Sequence, residues 1–197
     1  MTIAGLRERK KERTRDAMFR AALRLFAKRG FDHVTVEEIA AACDVSPRTF
    51  FRYFASKEDV LFAESDAHCA NVLQTMAAHD PKASAFDTLE AAMLAIAADY
   101  ADQRDVLLLR KRIMTSTPSL RTKAAERQQG WESQIVDYLR ESGRAKRMSE
   151  LDLRLLVAAT ISALRVALEL WSAGDDTGDL ADVARTALRR LRGGFGR

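Results

Sequence analysis

The sequence predicts an all-α chain, and three observations carry that expectation. Apolar residues recur three and four positions apart along most of the chain, and no run alternates apolar and polar residues as a strand would. Prolines and glycines are scarce, 3 and 9 among 197 residues, and many of them fall between the periodic stretches. Capping residues such as Thr35, Ser46, Ser56 and Ser149 stand where helices should begin. The expected architecture is a bundle of three helices over residues 8–55, followed by a larger helical domain over residues 56–197, about nine helices in all.

The first helix should run from about Glu8 or Arg13 to Lys28 and bury Phe19, Ala22, Leu23 and Phe26, with Gly30 closing it. It is strongly basic: residues 1–29 hold ten Lys/Arg against three Asp/Glu, although the whole chain is only +4. A basic head on a balanced body fits a polyanion partner at one end, and a solvated basic helix face is the competing explanation. The arm Arg7–Arg15 either extends this helix or reaches along a nucleic-acid backbone.

Thr35 with Glu38 forms a capping box. Val36, Ile39, Ala40 and Cys43 then give one apolar helical face. Asp44-Val45 makes the turn, and aspartate tolerates the left-handed backbone a tight turn requires. Ser46 caps the next helix, and Pro47 takes its first position, where an N–H is not needed. Phe50 and Phe54 face inward. Arg48, Thr49, Phe51, Arg52 and Tyr53 are left facing out, a set suited to a DNA groove. Ser56 starts a fourth helix over 57–78. Further helices follow at about 84–102, 104–115, 119–142, 149–173 and 178–192. They are separated at Asp80-Pro81, Thr117-Pro118, Ser142-Gly143 and Gly174–Gly178.

In the helix at 149–173, Leu153, Val157, Thr160, Leu164, Ala167 and Trp171 form a seam at spacings 4, 3, 4, 3, 4. Leu155, Leu156, Ile161 and Leu168 make other faces apolar too. The last helix carries a single stripe with Leu180, Val183, Ala184, Ala187, Leu188 and Leu191. A four-helix interface between two copies is expected from Leu153, Val157, Thr160, Leu164, Ala167, Ala184, Ala187, Leu188 and Leu191. Filling of one monomer core is the competing explanation.

The segment from Thr35 to Lys57, TVEEIAAACDVSPRTFFRYFASK, with Ser56–Leu61 after it and the helix ending Gly30-Phe31 before it, resembles the TetR/AcrR family of transcriptional regulators. The resemblance covers about a third of the chain. Two positions depart from the family pattern: Asp44 and Arg48 stand where glycine is usual. The resemblance implies a homodimer on a palindromic operator in double-stranded DNA. Ser46, Pro47, Arg48, Thr49, Phe51 and Arg52 would lie at the groove, with Thr35, Tyr53 and Lys57 on phosphates. It also implies a small-molecule effector, bound in the larger domain, that releases a repressor from DNA.

The stretch Arg104–Arg140 is similar to a TetR subgroup associated with acyl-CoA-like ligands and regulators of the mycofactocin type. Candidate effector-binding residues are Met93, Ile96, Tyr100, Leu109, Ile113, Trp131, Ile135 and Trp171, with Arg110 and Arg112 as anchors for an acidic head group. Core packing and a solvated basic face compete for all of these.

Other classes find little support. The 3 His and 2 Cys lack metal-ligand spacing, and no Gly-rich phosphate loop or nucleophile–base set occurs. Neither a catalytic residue, a metal nor a cofactor is therefore expected. No signal peptide, membrane span or disulfide is read, which points to the cytoplasm. A helical protein–protein adaptor, or an activator instead of a repressor, stays open as an alternative.

Overall fold

A computed structural model describes residues 3–174 and 178–194, and these residues are helical without a strand. The helices are α1 (Ile3–Arg29), α2 (Val36–Ala41), α3 (Pro47–Phe51), α4 (Lys57–Ala78), α5 (Ala85–Tyr100), α6 (Arg104–Ser116), α7 (Pro118–Glu141), α8 (Glu150–Ala173) and α9 (Leu180–Gly193). A single 3-10 turn, Ala101–Gln103, joins α5 to α6. Residues 175–177, inside the expected break before α9, lie outside the described residues. No helix among the described residues is long and apolar enough to cross a membrane.

The chain divides into two compact units, but not at residue 55. Met1–Glu64 and Leu108–Ala124 form one, and Ser65–Leu107 and Ala125–Arg197 form the other. These units differ from the expected domains at two places. The start of α4 belongs with the N-terminal bundle, and so does the corner between α6 and α7. The cause is local: Lys123 Nζ lies 3.5 Å from both Asp59 Oδ1 and Ser56 Oγ, tying the start of α7 to the start of α4. Arg15 adds a bond from α1, donating to the Ala63 carbonyl at 3.0 Å.

The core of the first unit is aromatic. Phe26 and Phe31 rings sit 5.0 Å apart, and Phe50 and Phe54 rings 5.3 Å apart, all four buried. Asp44 adopts φ 55°, the left-handed turn expected of it. The third helix is shorter than expected: α3 ends at Phe51, and Tyr53 and Phe54 follow in a tightened turn whose N–H groups both donate to the Phe50 carbonyl.

The second unit is built around α8, which packs on α5 and α9. Ser84, Ser149 and Asp179 cap α5, α8 and α9. Arg192 pins α9 to α5: its guanidinium donates to Asp87 and Glu90 and covers the Phe86 ring.

Here the residues of the expected dimer seam separate. Leu153, Val157, Thr160, Leu164 and Ala167 of α8, with Ala184 and Leu188 of α9, are buried in the chain's own core. The face they share is the most regular on α8, and the chain itself covers it with α5 and α9. Periodicity reports that a face must be covered; it does not say by which chain.

Candidate nucleic-acid interface

The head presents α3 on a scaffold of caps. The Thr35 hydroxyl accepts from Glu38 N at 3.3 Å, and Glu38 Oε2 accepts from Thr35 N at 2.9 Å, the reciprocal capping box read from the sequence. Arg29 extends it, with Nη1 2.6 Å from Glu38 Oε1 and Nη2 donating to the His33 carbonyl at 2.9 Å. The Thr35 N–H and then the Arg29 guanidinium hold the Glu38 carboxyl below the usual carboxylate range. This clamp fixes the N-terminus of α2 against the end of α1, an interaction the sequence reading missed. Arg29 lies nine residues from Glu38, outside any helical spacing.

At α3, Ser46 Oγ accepts from Thr49 N at 3.1 Å and lies 3.0 Å from the Thr49 hydroxyl. Ser46 and Thr49 therefore satisfy one another, with Pro47 at the first turn. Phe50 faces the core. Phe51 is 54% exposed, a large ring in water on a short helix. Arg48 and Arg52 are exposed, and Tyr53 is half-buried. The Arg52 guanidinium lies over the Tyr53 ring at 5.3 Å, while among the described residues Arg48 makes no ion pair or hydrogen bond through its side chain. Arg48 is thus free to enter a groove, and Arg52 is held along the surface by a cation–π contact.

Lys57 is placed differently from the phosphate contact expected of it. Its ammonium donates to the carbonyls of Phe31 at 3.0 Å and Val34 at 3.1 Å and lies 4.4 Å from the Phe31 ring centroid. It ties down the loop that leads into Thr35, and two of its three protons are used there. Replacing Lys57 by Met is expected to lower the melting temperature of the head, because two carbonyls lose their donor at about 1–3 kcal/mol each. The salt dependence of DNA binding should stay near that of the parent. A log–log slope smaller by about 0.9 at unchanged melting temperature would mark Lys57 as a phosphate contact instead.

Residues 19–63 match the family model described as bacterial regulatory proteins of the tetR family, and residues 83–196 match the MftR C-terminal domain. The chain belongs to the TetR family of transcriptional regulators. It is 33% identical over 125 residues to MftR of Mycobacterium tuberculosis, named as a mycofactocin biosynthesis transcriptional regulator, with 62% of each chain covered. It is 62% identical over 56 residues to the regulator TcmR of Streptomyces glaucescens, a match covering 28% of this chain and 25% of TcmR. The matches thus span about a quarter to three fifths of these relatives' lengths. Among solved structures, FadR of Thermus thermophilus, a TetR-family repressor crystallised with lauroyl-CoA, superposes with a TM-score of 0.58. That alignment has 27% identity and covers 90% of this chain and 93% of that one. TetR-family regulators bind DNA and act as dimers; the family and the relatives are transcriptional regulators, not enzymes.

A TetR-family dimer needs a free apolar surface, and α8 and α9 provide one beside the buried seam. Leu151, Leu155, Val166 and Leu170 of α8 are exposed. An open groove of about 650 Å³ between α8 and α9 is lined by small residues, among them Ala159, Ser162, Ala163 and Ala187, with Leu191 at one end. Of the residues expected at the interface, Ala187 and Leu191 lie on this free face. Leu155 was legible as an extra apolar face of α8, and its sequence signal was outweighed by the more regular seam. The Arg165–Glu169 pair, at 2.9 Å, is exposed on the same helix.

The candidate effector residues separate. Met93, Tyr100, Ile135 and Trp171 are buried in one apolar cluster of the second unit, with Ile96 packed against it. Trp131 is half-buried in the same unit. Leu109, Arg110, Arg112 and Ile113 fall in the first unit. Ile113 is buried there, Arg110 is half-buried, and Arg112 is exposed to solvent. Its neighbours in the sequence run LLLRKRIM are apolar, but the helix turns Arg112 outward. The second unit has its own cation against this cluster, Arg104, whose guanidinium lies 5.5 Å from the Trp171 ring and donates to the Gly174 carbonyl.

Proposed function

We propose that this protein is a ligand-released homodimeric repressor that binds a palindromic operator through α3. The observation that carries the reading is the capped, arginine-bearing α3 with Phe51 in water. That surface fits a major groove. Pairing of two chains through the exposed faces of α8 and α9 sets two such helices against one duplex. Their separation must then match about 34–36 Å or a multiple of it.

Arg48 reads a base edge, Thr35 and Tyr53 hold phosphates, and Phe51 packs on a thymine methyl or a sugar. Arg48→Ala is expected to lower affinity for the operator by about 1–3 kcal/mol while leaving random duplex nearly unchanged. Equal losses on both DNAs in an anisotropy titration would remove the base-reading role.

The effector is an amphipathic acid with an acyl or aromatic body, and acyl-CoA is its first candidate class. Support comes from the likeness to a lauroyl-CoA-bound FadR and from the apolar cluster around Met93, Tyr100 and Trp171. Release requires that the ligand bind the DNA-free state more tightly than the DNA-bound one. The test is anisotropy of labelled DNA from upstream of the protein's own gene, at several salt concentrations, with lauroyl-CoA added to the preformed complex. Salt-sensitive binding that lauroyl-CoA reverses, with a change in Trp131 and Trp171 fluorescence, is the expected result. Binding unmoved by lauroyl-CoA and by other amphipathic acids would refute the effector class.

A further inference from the structure

The outer face of α1 carries a feature that α3 does not explain. At about 100° per residue, Met18, Phe19, Ala22, Leu23 and Phe26 gather on one side of α1 and are buried. Opposite them, within an arc of about 100°, lie Arg9, Lys10, Arg13, Arg20, Arg24 and Lys28. Ala17 and Ala27 fill the rest of that arc from Arg9 onward, and the acids of this stretch, Glu12 and Asp16, fall outside it. All six cations are exposed. The stripe spans about 28 Å, at about 1.5 Å per residue.

Two basic residues of α1 that lie off the stripe have partners in the bundle. Arg15 and Arg29, off the stripe, bind the Ala63 carbonyl and Glu38 and hold the bundle together. Among the described residues none of the six stripe cations forms an ion pair. The stripe instead sets like charges four residues apart, Arg9 with Arg13, Arg20 with Arg24, and Arg24 with Lys28, an arrangement that weakens an isolated helix. A face meant only for solvent gains by mixing signs. The stripe also reaches the helix-turn-helix: Arg24 is close enough to Cys43, beside the turn, to oppose the upward push of burial on that thiol.

We propose that the outer stripe of α1 is a phosphate rail that lies along the backbone of the duplex bound by α3 and adds sequence-independent affinity. The inference rests on the DNA-binding reading above. A duplex offers a charge about every 1.7 Å of its axis, so a rigid row of cations meets phosphates along its length. A lipid surface would call for large apolar side chains along the stripe, where this arc has only alanines.

The test uses the full chain with Arg9→Gln, Arg13→Gln and Arg20→Gln together, which removes the charge and keeps helix propensity. Affinity for operator and random duplex is measured against salt. A control, Lys82→Gln, Lys146→Gln and Arg147→Gln, removes the same charge from exposed positions of the second unit. The rail predicts that the α1 variant loses about 2–3 from the log–log slope on both DNAs. The ratio of operator to random affinity and the far-ultraviolet circular dichroism should stay at parent values, the melting temperature should not fall below that of the parent, and the control should keep the parent slope. An unchanged slope, or an equal loss in the control, overturns the rail. Loss of binding to phosphatidylglycerol vesicles with an unchanged DNA slope overturns it in favour of a lipid surface. A parent protein that shows no salt-sensitive binding to any duplex would defeat the DNA-binding reading itself, a result distinguishable from all of these.

Discussion

Replacing Leu155 and Leu170 by glutamate is expected to give a folded monomer that no longer holds a palindromic operator. Both side chains are 58% exposed on α8, so a carboxylate at either position stays in water within one chain and costs its fold little. In a pair of chains the same carboxylates would be buried in an apolar contact with no partner, and burial of an unpaired charge is prohibitive. Light scattering after gel filtration should move from twice the chain mass to 22.0 kDa. Two half-sites bound by one dimer gain about 10²–10⁴-fold over one, and that gain should vanish. Affinity for an isolated half-site should persist, since α3 is untouched. A variant that remains dimeric would show that some other surface joins the chains.

Phe50→Ala is expected to melt the DNA-reading head while leaving the second unit folded. Phe50 is 0% exposed and packs between the rings of Phe51 and Phe54. Truncating such a ring removes about 3–5 kcal/mol, a large share of the roughly 5–15 kcal/mol that holds a whole domain. The two tryptophans, Trp131 and Trp171, both lie in the other unit. Fluorescence should therefore report a late transition close to that of the parent. Circular dichroism should report an additional early one, as α1 to α3 are lost. One unshifted transition by both probes would mean that the head closes over the missing ring.

The head was the most legible part of the chain because its signals are local. Thr35 with Glu38, Ser46 with Pro47, and Asp44 in the turn each act over at most three residues, and each takes the geometry its chemistry dictates. The free face of α8 was less legible. Val157 and Leu155 are both leucine-like positions in an apolar helix, and only the folded chain reveals that α5 and α9 cover one and leave the other. Lys57 reads as a surface cation until the carbonyls of Phe31 and Val34, more than twenty residues earlier, are brought beneath it. The candidate effector residues followed the same pattern: Met93 and Tyr100 share a core with Ile135 and Trp171, while Arg112, equally prominent in the sequence, faces water. Pairings of long separation are set by packing, and one-dimensional spacing does not encode them.

The corner at Leu108–Ala124 bears on how such regulators can be recombined. A chimera that joins residues 1–64 to a foreign sensor transplants a reading head with a part missing, because Lys123 stays behind and Asp59 and Ser56 lose the ammonium beside them. The modular unit of exchange in this chain is discontinuous. A graft that keeps the head intact must carry the α6–α7 corner along with it, and a sensor evolved around another head brings a corner shaped for that head. The head and the second unit are thus less separable than the linear order of the two family models implies.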